Sequence, residues 1–190
     1  MRIVGGKFGG RTLATPAGDD IRPTSDRVRE AIFNVLAHGI ADFRFEGLRV
    51  LDLFAGTGAL GLEALSRGAA YCLFIEYDAA ARGLIRRNVE SLGLTGVTKI
   101  FRRDATDLGP ARQHGTFSLA FLDPPYGRGL AAPALASLSA GGWLTAEAIV
   151  VIEDRRGSLA ALPPPFILLD RRTWGDTEVA FARFQPAQKG

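Results

Sequence analysis

The apolar run Leu48 to Leu53 opens directly into Asp52-Leu53-Phe54-Ala55-Gly56-Thr57-Gly58-Ala59-Leu60-Gly61. Gly56, Gly58 and Gly61 follow the G-x-G-x-x-G spacing in the context that gives it meaning, between a strand and a helix. Glycine allows the tight turn and lets another group approach the backbone closely. The same alternation continues downstream. Residues 71–75 read as a strand, 79–92 as a helix and 97–101 as a strand, with a short helix near Ala105. Then come a strand over 117–122, a helix over 130–138 despite Pro133, and a strand over 148–152. This rhythm predicts a parallel sheet covered on both faces.

The two ends of the chain differ from its middle. Residues 166–174, Gly175-Asp176 and 177–184 read as a β-hairpin, which predicts an antiparallel edge to the parallel sheet. Near the start, Val28, Ala31, Ile32, Val35 and Leu36 fall on one face of a helix that Thr24 or Ser25 can cap and that runs to about His38. Residues 1–13 read as a short hairpin or arm, and 14–23 as a loop.

Composition narrows the class. The chain has 190 residues, 47% hydrophobic and 23% charged, which suits one globular domain. No apolar stretch approaches the ~20 residues that span a bilayer, and Met1 to Gly6 lacks the apolar segment of a signal peptide. One cysteine, Cys72, excludes an internal disulfide, and with two histidines a zinc site is not expected. A cytoplasmic location is expected. The net charge of +3 argues only weakly for a nucleic-acid partner. Its distribution says more: Arg2, Lys7 and Arg11 lie in an opening segment without acids, and an arginine fork pairs well with phosphate. The arginine pairs at 86–87, 102–103, 155–156 and 171–172 read more simply as solvated faces and loop tips.

Acids recur at the strand ends. Glu76, about 20 residues beyond Gly56, follows the second strand and suits the hydroxyls of a ribose. On the glycines alone NAD competes as the ligand. Asp52, however, sits before the glycines, where a pyrophosphate is unwelcome and an ammonium or sulfonium is favoured. Asp104 follows the third strand and can accept from an adenine amino group, or simply cap a helix. Three such acids describe a pocket for a cationic nucleoside, S-adenosylmethionine. After the fourth strand stands Asp123-Pro124-Pro125-Tyr126. The prolines force a stiff, extended exit from the strand. They set a carboxylate beside an aromatic ring, a pairing suited to a planar base with an exocyclic amino group. The plainer alternative is a strand-ending turn in which Asp123 caps and Tyr126 packs.

D-L-F-A-G-T-G with Glu76, Asp104 and D-P-P-Y resembles class I S-adenosylmethionine-dependent methyltransferases that act on exocyclic amino groups. Met1-Arg2-Ile3-Val4-Gly5-Gly6, Gly10-Arg11 and the run Arg22-Pro23-Thr24-Ser25-Asp26-Arg27-Val28-Arg29-Glu30-Ala31-Ile32-Phe33-Asn34 resemble the bacterial RsmD family. That family methylates a guanine amino group in 16S rRNA. The likeness extends to Gly175-Asp176-Thr177. It implies a Rossmann-like class I methyltransferase fold: a mostly parallel seven-stranded sheet, an antiparallel C-terminal edge hairpin and a short N-terminal β extension. Residues 1–190 would form one domain, with an arm and loop over 1–23 and the core over 24–190.

The resemblance also assigns roles. Asp52, Phe54, Ala55, Gly56, Thr57 and Gly58 would hold the methionine part of S-adenosylmethionine, Glu76 the ribose, and Asp104 with Ala105 the adenine. Asp123, Pro124, Pro125 and Tyr126 would hold a flipped-out guanine. By their charge, apart from the resemblance, Arg2, Lys7 and Arg11 of the acid-free opening segment, with Arg22, would contact RNA. The expected partner is 16S rRNA or a small-subunit assembly intermediate, met by a monomer without metal or membrane. D-P-P-Y also occurs in adenine-N6 enzymes of DNA and RNA and does not choose the base. An NAD(P)-dependent oxidoreductase would use the same glycines but leave D-P-P-Y idle, and a non-catalytic RNA-binding domain would have no use for the acids.

Overall fold

A computed structural model describes residues 1–17 and 25–187. Its strands are β1 (Arg49–Leu53), β2 (Tyr71–Ile75), β3 (Thr98–Phe101), β4 (Phe117–Leu122), β5 (Leu144–Arg155), β6 (Phe166–Trp174) and β7 (Thr177–Phe184). They form one sheet in the order β3-β2-β1-β4-β5-β7-β6. β1 to β5 are mutually parallel. β7 enters antiparallel between β5 and β6. The chain winds outward from β1 to β3, then crosses back to lay β4 on the other side of β1. The order therefore reverses between β1 and β4, and in such sheets ligands bind beyond the strand C-termini at the reversal.

The helices are α1 (Asp26–Gly39), α2 (Ala59–Ser66), α3 (Ala79–Ser91) and α4 (Ala131–Ala140). Ser25 caps α1 by accepting from the Val28 N–H at 3.2 Å, and Asp78 caps α3 through the Ala81 N–H at 2.8 Å. Pro133 lies in the first turn of α4, where no intrahelical N–H bond is lost. Strand residues alternate between two cores. Val50, Leu119 and Phe121 face Ile32, Phe33 and Leu36 of α1 together with α2 and α3. Leu51, Ala120 and Leu122 face α4 and Trp143.

Two local expectations change. β5 begins earlier and ends later than 148–152, because its pairing with β4 and β7 extends the ladder. The helix near Ala105 is a turn instead. The Asp104 carboxylate takes the Thr106 N–H at 2.8 Å, the Asp107 N–H returns to the Asp104 carbonyl at 3.1 Å, and Gly109-Pro110 follow too closely for a helix to extend. The N-terminal arm is a hairpin-like excursion closed by an Arg2–Thr12 bridge, and it does more than present basic side chains. Ile3 and Leu13 are fully buried in the α1–α2 core.

Glu63 on α2 explains why the arm docks. Its side chain is completely buried and accepts the Val4 and Gly5 N–H groups at 2.8 Å each and Arg67 Nε at 2.9 Å. The equally buried Arg29 lies 3.6 Å away and bonds to Asp26 and to the Arg2 carbonyl. A carboxylate taken out of water is tolerable only with its lone pairs occupied in this way.

Gly61 sets the distance between α2 and the sheet. A methyl group there would stand 2.5 Å from Cys72 Sγ and 2.6 Å from a ring carbon of Phe74. Alanine would add up to ~1 kcal/mol of helix propensity, but overpacking against side chains fixed in β2 costs about 1–3 kcal/mol. Gly61→Ala is therefore expected to lower the urea midpoint of unfolding. A midpoint at or above wild type would show that the helix can lift without cost.

Candidate active site at the strand C-termini

The sheet register aligns the strand ends. Leu53 pairs with Ile75 and Leu122, Ile75 with Phe101, and Leu122 with Ile152. The next residue of each strand therefore stands at one level: Phe54, Glu76, Arg102, Asp123 and Glu153. The backbone keeps this level beyond the strands, with the Ala55 N–H on the Ile75 carbonyl and the Glu76 N–H on the Phe101 carbonyl, both at 3.2 Å.

The glycine turn is tightly built. Phe54 (φ 56°), Gly56 (φ 57°) and Gly58 (φ 79°) all take left-handed backbone angles, a strained state for the phenylalanine. The Gly58 N–H closes the turn on the Ala55 carbonyl at 2.7 Å. Glu76 holds the turn from β2: one carboxylate oxygen accepts the Gly56 N–H at 2.8 Å, the other the Asp78 N–H at 2.9 Å. Each oxygen has a second lone pair for a further donor. At Gly56 the nearest atom to an added methyl group would be 3.9 Å away, so the front of the turn is open. At Gly58 and Gly61 the back is closed by Phe74 and its neighbours. The glycine turn thus has an open front beside an acid, which a side chain at Gly56 would begin to fill.

Asp52 is placed differently from the expectation. It is 1% exposed, and its carboxylate accepts the Gly61 N–H at 2.9 Å. It braces the turn from beneath and is not exposed to a ligand at the front. Asp52 therefore does not repel a pyrophosphate directly, and it does not discriminate against NAD in that way. Asp104 is exposed; the Thr106 hydroxyl and N–H hold its carboxyl below the usual range, so it stays ionised. Ala105, Ala55 and Thr57 are buried, so what Ala105 and Ala55 could offer a ligand is backbone. Directly after Glu76 the Tyr77 ring stands 64% exposed, with the Arg102 guanidinium 5.5 Å from its centroid. No sequence pattern singled it out.

Across the reversal, the Asp123 N–H reaches toward the Leu53 carbonyl at 3.5 Å, which ties the D-P-P-Y segment to the glycine turn. Asp123 is half-buried, Pro124 buried and Pro125 exposed. Tyr126 does not pack away: its residue is 38% exposed while its hydroxyl donates to Glu153 at 2.9 Å and lies 3.2 Å from the Thr177 hydroxyl. Burial and the Glu153 charge push the phenol above its ordinary range, so it remains a neutral donor. Sequence reading missed Glu153, though it repeats the visible signal of an acid directly after an apolar strand run.

The arm is tied to this site. Asn88 of α3, 1% exposed, accepts the Ala14 N–H at 2.6 Å and donates to the Ala14 carbonyl at 3.1 Å and the Thr57 carbonyl at 2.9 Å. The segment following the arm and the glycine turn are thus joined through one side chain. The side chains of Arg2, Lys7 and Arg11 still lie on the exposed surface, Arg2 against Asp26 and Arg11 on the Ser91 carbonyl. Arg22 lies outside the described residues. Among the described residues there is no cluster suited to a metal ion and no helix long and apolar enough to cross a membrane. A separate cavity of about 490 Å³, lined by Asp42, Arg44, Glu46, Glu147 and Arg183 among others, opens at the opposite end of the strands.

Residues 1–183 match the family described as conserved hypothetical protein 95. The chain is 38% identical to the ribosomal RNA small subunit methyltransferase D of Escherichia coli strain K12, over 100% of this chain and 92% of that one. It is 36% identical to the YlbH protein of Bacillus subtilis, over 95% of this chain and 97% of that one. The solved structure of yhhF from Escherichia coli superposes with a TM-score of 0.81 at 33% identity, covering 97% of this chain and 98% of the other.

Asp52 offers a test by pH. Burial pushes its carboxyl up to about 8, opposed by the Gly61 N–H and aided by the Glu76 charge. In the unfolded chain an aspartate titrates near pH ~4. The stability linked to this proton is therefore fully present below pH ~4 and lost as pH rises through about 8. Asp52→Asn keeps an oxygen for Gly61 without the titrating proton. Its urea midpoint should lack this decline across the same pH range. A decline identical to wild type would show that Asp52 is not its source.

Proposed function

The chain belongs to the RsmD family of rRNA methyltransferases, and from that membership we infer that it moves a methyl group from S-adenosylmethionine to the exocyclic N2 amino group of one guanine in 16S rRNA. The observation that carries this reading is the level row of Glu76, Asp123 and Glu153 on either side of the sheet reversal, with an open glycine turn on one side and a tethered, exposed tyrosine on the other. The first side suits a nucleoside and the second a planar base.

When bound, S-adenosylmethionine supplies an electrophilic methyl group on a sulfonium. Glu76 would accept from the ribose hydroxyls with its remaining lone pairs. Asp104 would accept from the adenine amino group, and the exposed Tyr77 offers that ring a stacking face. Phe54, Ala55, Gly56, Thr57 and Gly58 would meet the methionine part through backbone, with Asp52 keeping the turn in shape from below. On the base side, Asp123 and the Pro124 carbonyl would accept the two amino hydrogens, Pro125 would keep the segment extended, and Tyr126 would stack on the base. An aryl amine is a weak nucleophile because its lone pair is delocalised. Two acceptors that draw its hydrogens out of plane would aim that lone pair at the methyl carbon; as the N–C bond forms the sulfonium C–S bond breaks to leave a neutral thioether, and the surplus proton then passes from the nitrogen to solvent. Most of the rate then comes from alignment. A paired base cannot reach such a pocket, so the guanine is unpaired or flipped out. The arm, through Arg2, Lys7 and Arg11, and Arg22 beyond it, would hold RNA phosphates.

Three outcomes are expected. Isothermal titration should give binding of S-adenosylmethionine and none of NAD; the reverse would remove the methyltransferase reading. Asp123→Ala should keep cofactor affinity but lose roughly 2–4 kcal/mol of transition-state stabilisation, by analogy with lost oxyanion donors. Methyl transfer to rRNA from labelled cofactor measures this, and more than about a tenth of wild-type turnover would exclude Asp123 as an acceptor. Neutralising Arg2, Lys7 and Arg11 together should weaken rRNA binding and reduce its log–log salt slope by about 0.7–0.9 per lost phosphate contact. An unchanged slope would leave the arm a purely structural element.

A further inference from the structure

Tyr126 sits where little else would orient it. Its segment has no regular structure between β4 and α4, and Gly127 and Gly129 follow with left-handed backbone angles of 71° and 63°. With 38% of the residue exposed, packing covers only part of the ring. Its hydroxyl, however, meets Glu153 at 2.9 Å and Thr177 at 3.2 Å. These partners come from adjacent strands: Glu153 ends the run of β5 that lies level with Asp123, and Thr177 opens β7 directly after the Gly175-Asp176 turn. Glu153 is 2% exposed. Burying an acid within β5 is costly unless its oxygens are hydrogen-bonded.

We propose that Glu153, with Thr177 as second partner, is a positioning residue that holds the Tyr126 ring at the angle at which the flipped base stacks on it. This rests on the reading of D-P-P-Y as the base pocket. The charge-assisted O–H to carboxylate bond fixes one end of the ring to the sheet, and the proline pair fixes the backbone at the other. The base then meets a preset surface and its amino group reaches Asp123 without a search. A purely structural bond would instead serve only to satisfy Glu153.

The test compares Tyr126→Phe, Glu153→Leu, Glu153→Gln and the double variant Tyr126→Phe/Glu153→Leu. The readouts are kcat and KM for rRNA, S-adenosylmethionine affinity by calorimetry, and the urea midpoint. Tyr126→Phe and Glu153→Leu should each lower kcat/KM for rRNA by about 10- to 100-fold, the size of effect expected from misplacing a reacting group, with cofactor affinity unchanged. The double variant should be no worse than the poorer single one, because both remove the same bond. Glu153→Gln, which keeps an oxygen acceptor, should recover most of the loss. Tyr126→Phe within about twofold of wild type, or losses that multiply in the double variant, would overturn the proposal. If Glu153→Leu does not fold, Thr177→Val replaces it in the same cycle. Asp123→Ala separates the two levels: an active Asp123→Ala enzyme defeats the base-pocket reading itself, whereas an inactive one beside a normal Tyr126→Phe enzyme defeats only the role of Glu153.

Discussion

The close approach of α2 to β1 and β2 at Gly61 is the constraint on which the rest depends. Only a residue without a side chain lets the helix come within contact of Cys72, Phe74 and Asp52. With the helix there, the Gly61 N–H reaches the Asp52 carboxylate and the turn before it is drawn tight. The strained angle at Phe54 and the open front at Gly56 follow from that geometry. The same helix carries Glu63 on its other side, so its position also decides where the N-terminal arm can dock.

Buried or half-buried carboxylates recur as the means by which irregular segments are held. Glu63 takes two N–H groups of the arm, Glu76 and Asp52 each take one from the glycine turn, and Glu153 takes the hydroxyl of Tyr126. Each such group loses hydration on folding and regains it as directed hydrogen bonds. A hydrophobic residue in the same place would have been less costly to bury, but it could not specify which atom of a loop lies where. The outcome is a set of segments without regular structure that nonetheless have defined positions around the strand ends. Asn88 joins two of them, since a single amide holds both Ala14 and Thr57. The arm that would meet RNA and the turn that would meet cofactor thus share one rigid helix.

The sheet was legible in the sequence because its signals are local. Strands buried on both faces, such as β2 and β4, read as continuous apolar runs, and the hairpin of β6 and β7 reads from its Gly175-Asp176 turn; all four have the boundaries expected of them. The turn at Gly56 to Gly61 and the acids Glu76 and Asp123 were legible for the same reason: a strand end followed by a glycine or a carboxylate is a pattern of adjacent residues. The failures are equally physical. The turn at Asp104 replaced a helix because one side chain competes for a backbone N–H two residues on. The burial of Ile3 and Leu13 depends on a helix sixty residues away, and an exposed basic arm and a docked one have the same composition.

What the sequence by itself determined was the alternation of strand and helix, the family, and the chemical kinds of residue brought to the strand ends. These depend on periodicity, spacing and short motifs, each contained within a few residues of chain. What only the tertiary structure decided was direction and depth. Asp52 points under the turn and not into it, Glu153 stands level with Asp123, and Tyr126 is turned outward by partners 27 and 51 residues further along. The reason is that the register between parallel strands is set by the crossovers and by packing against the helices, and no local pattern records which strand ends will share a level.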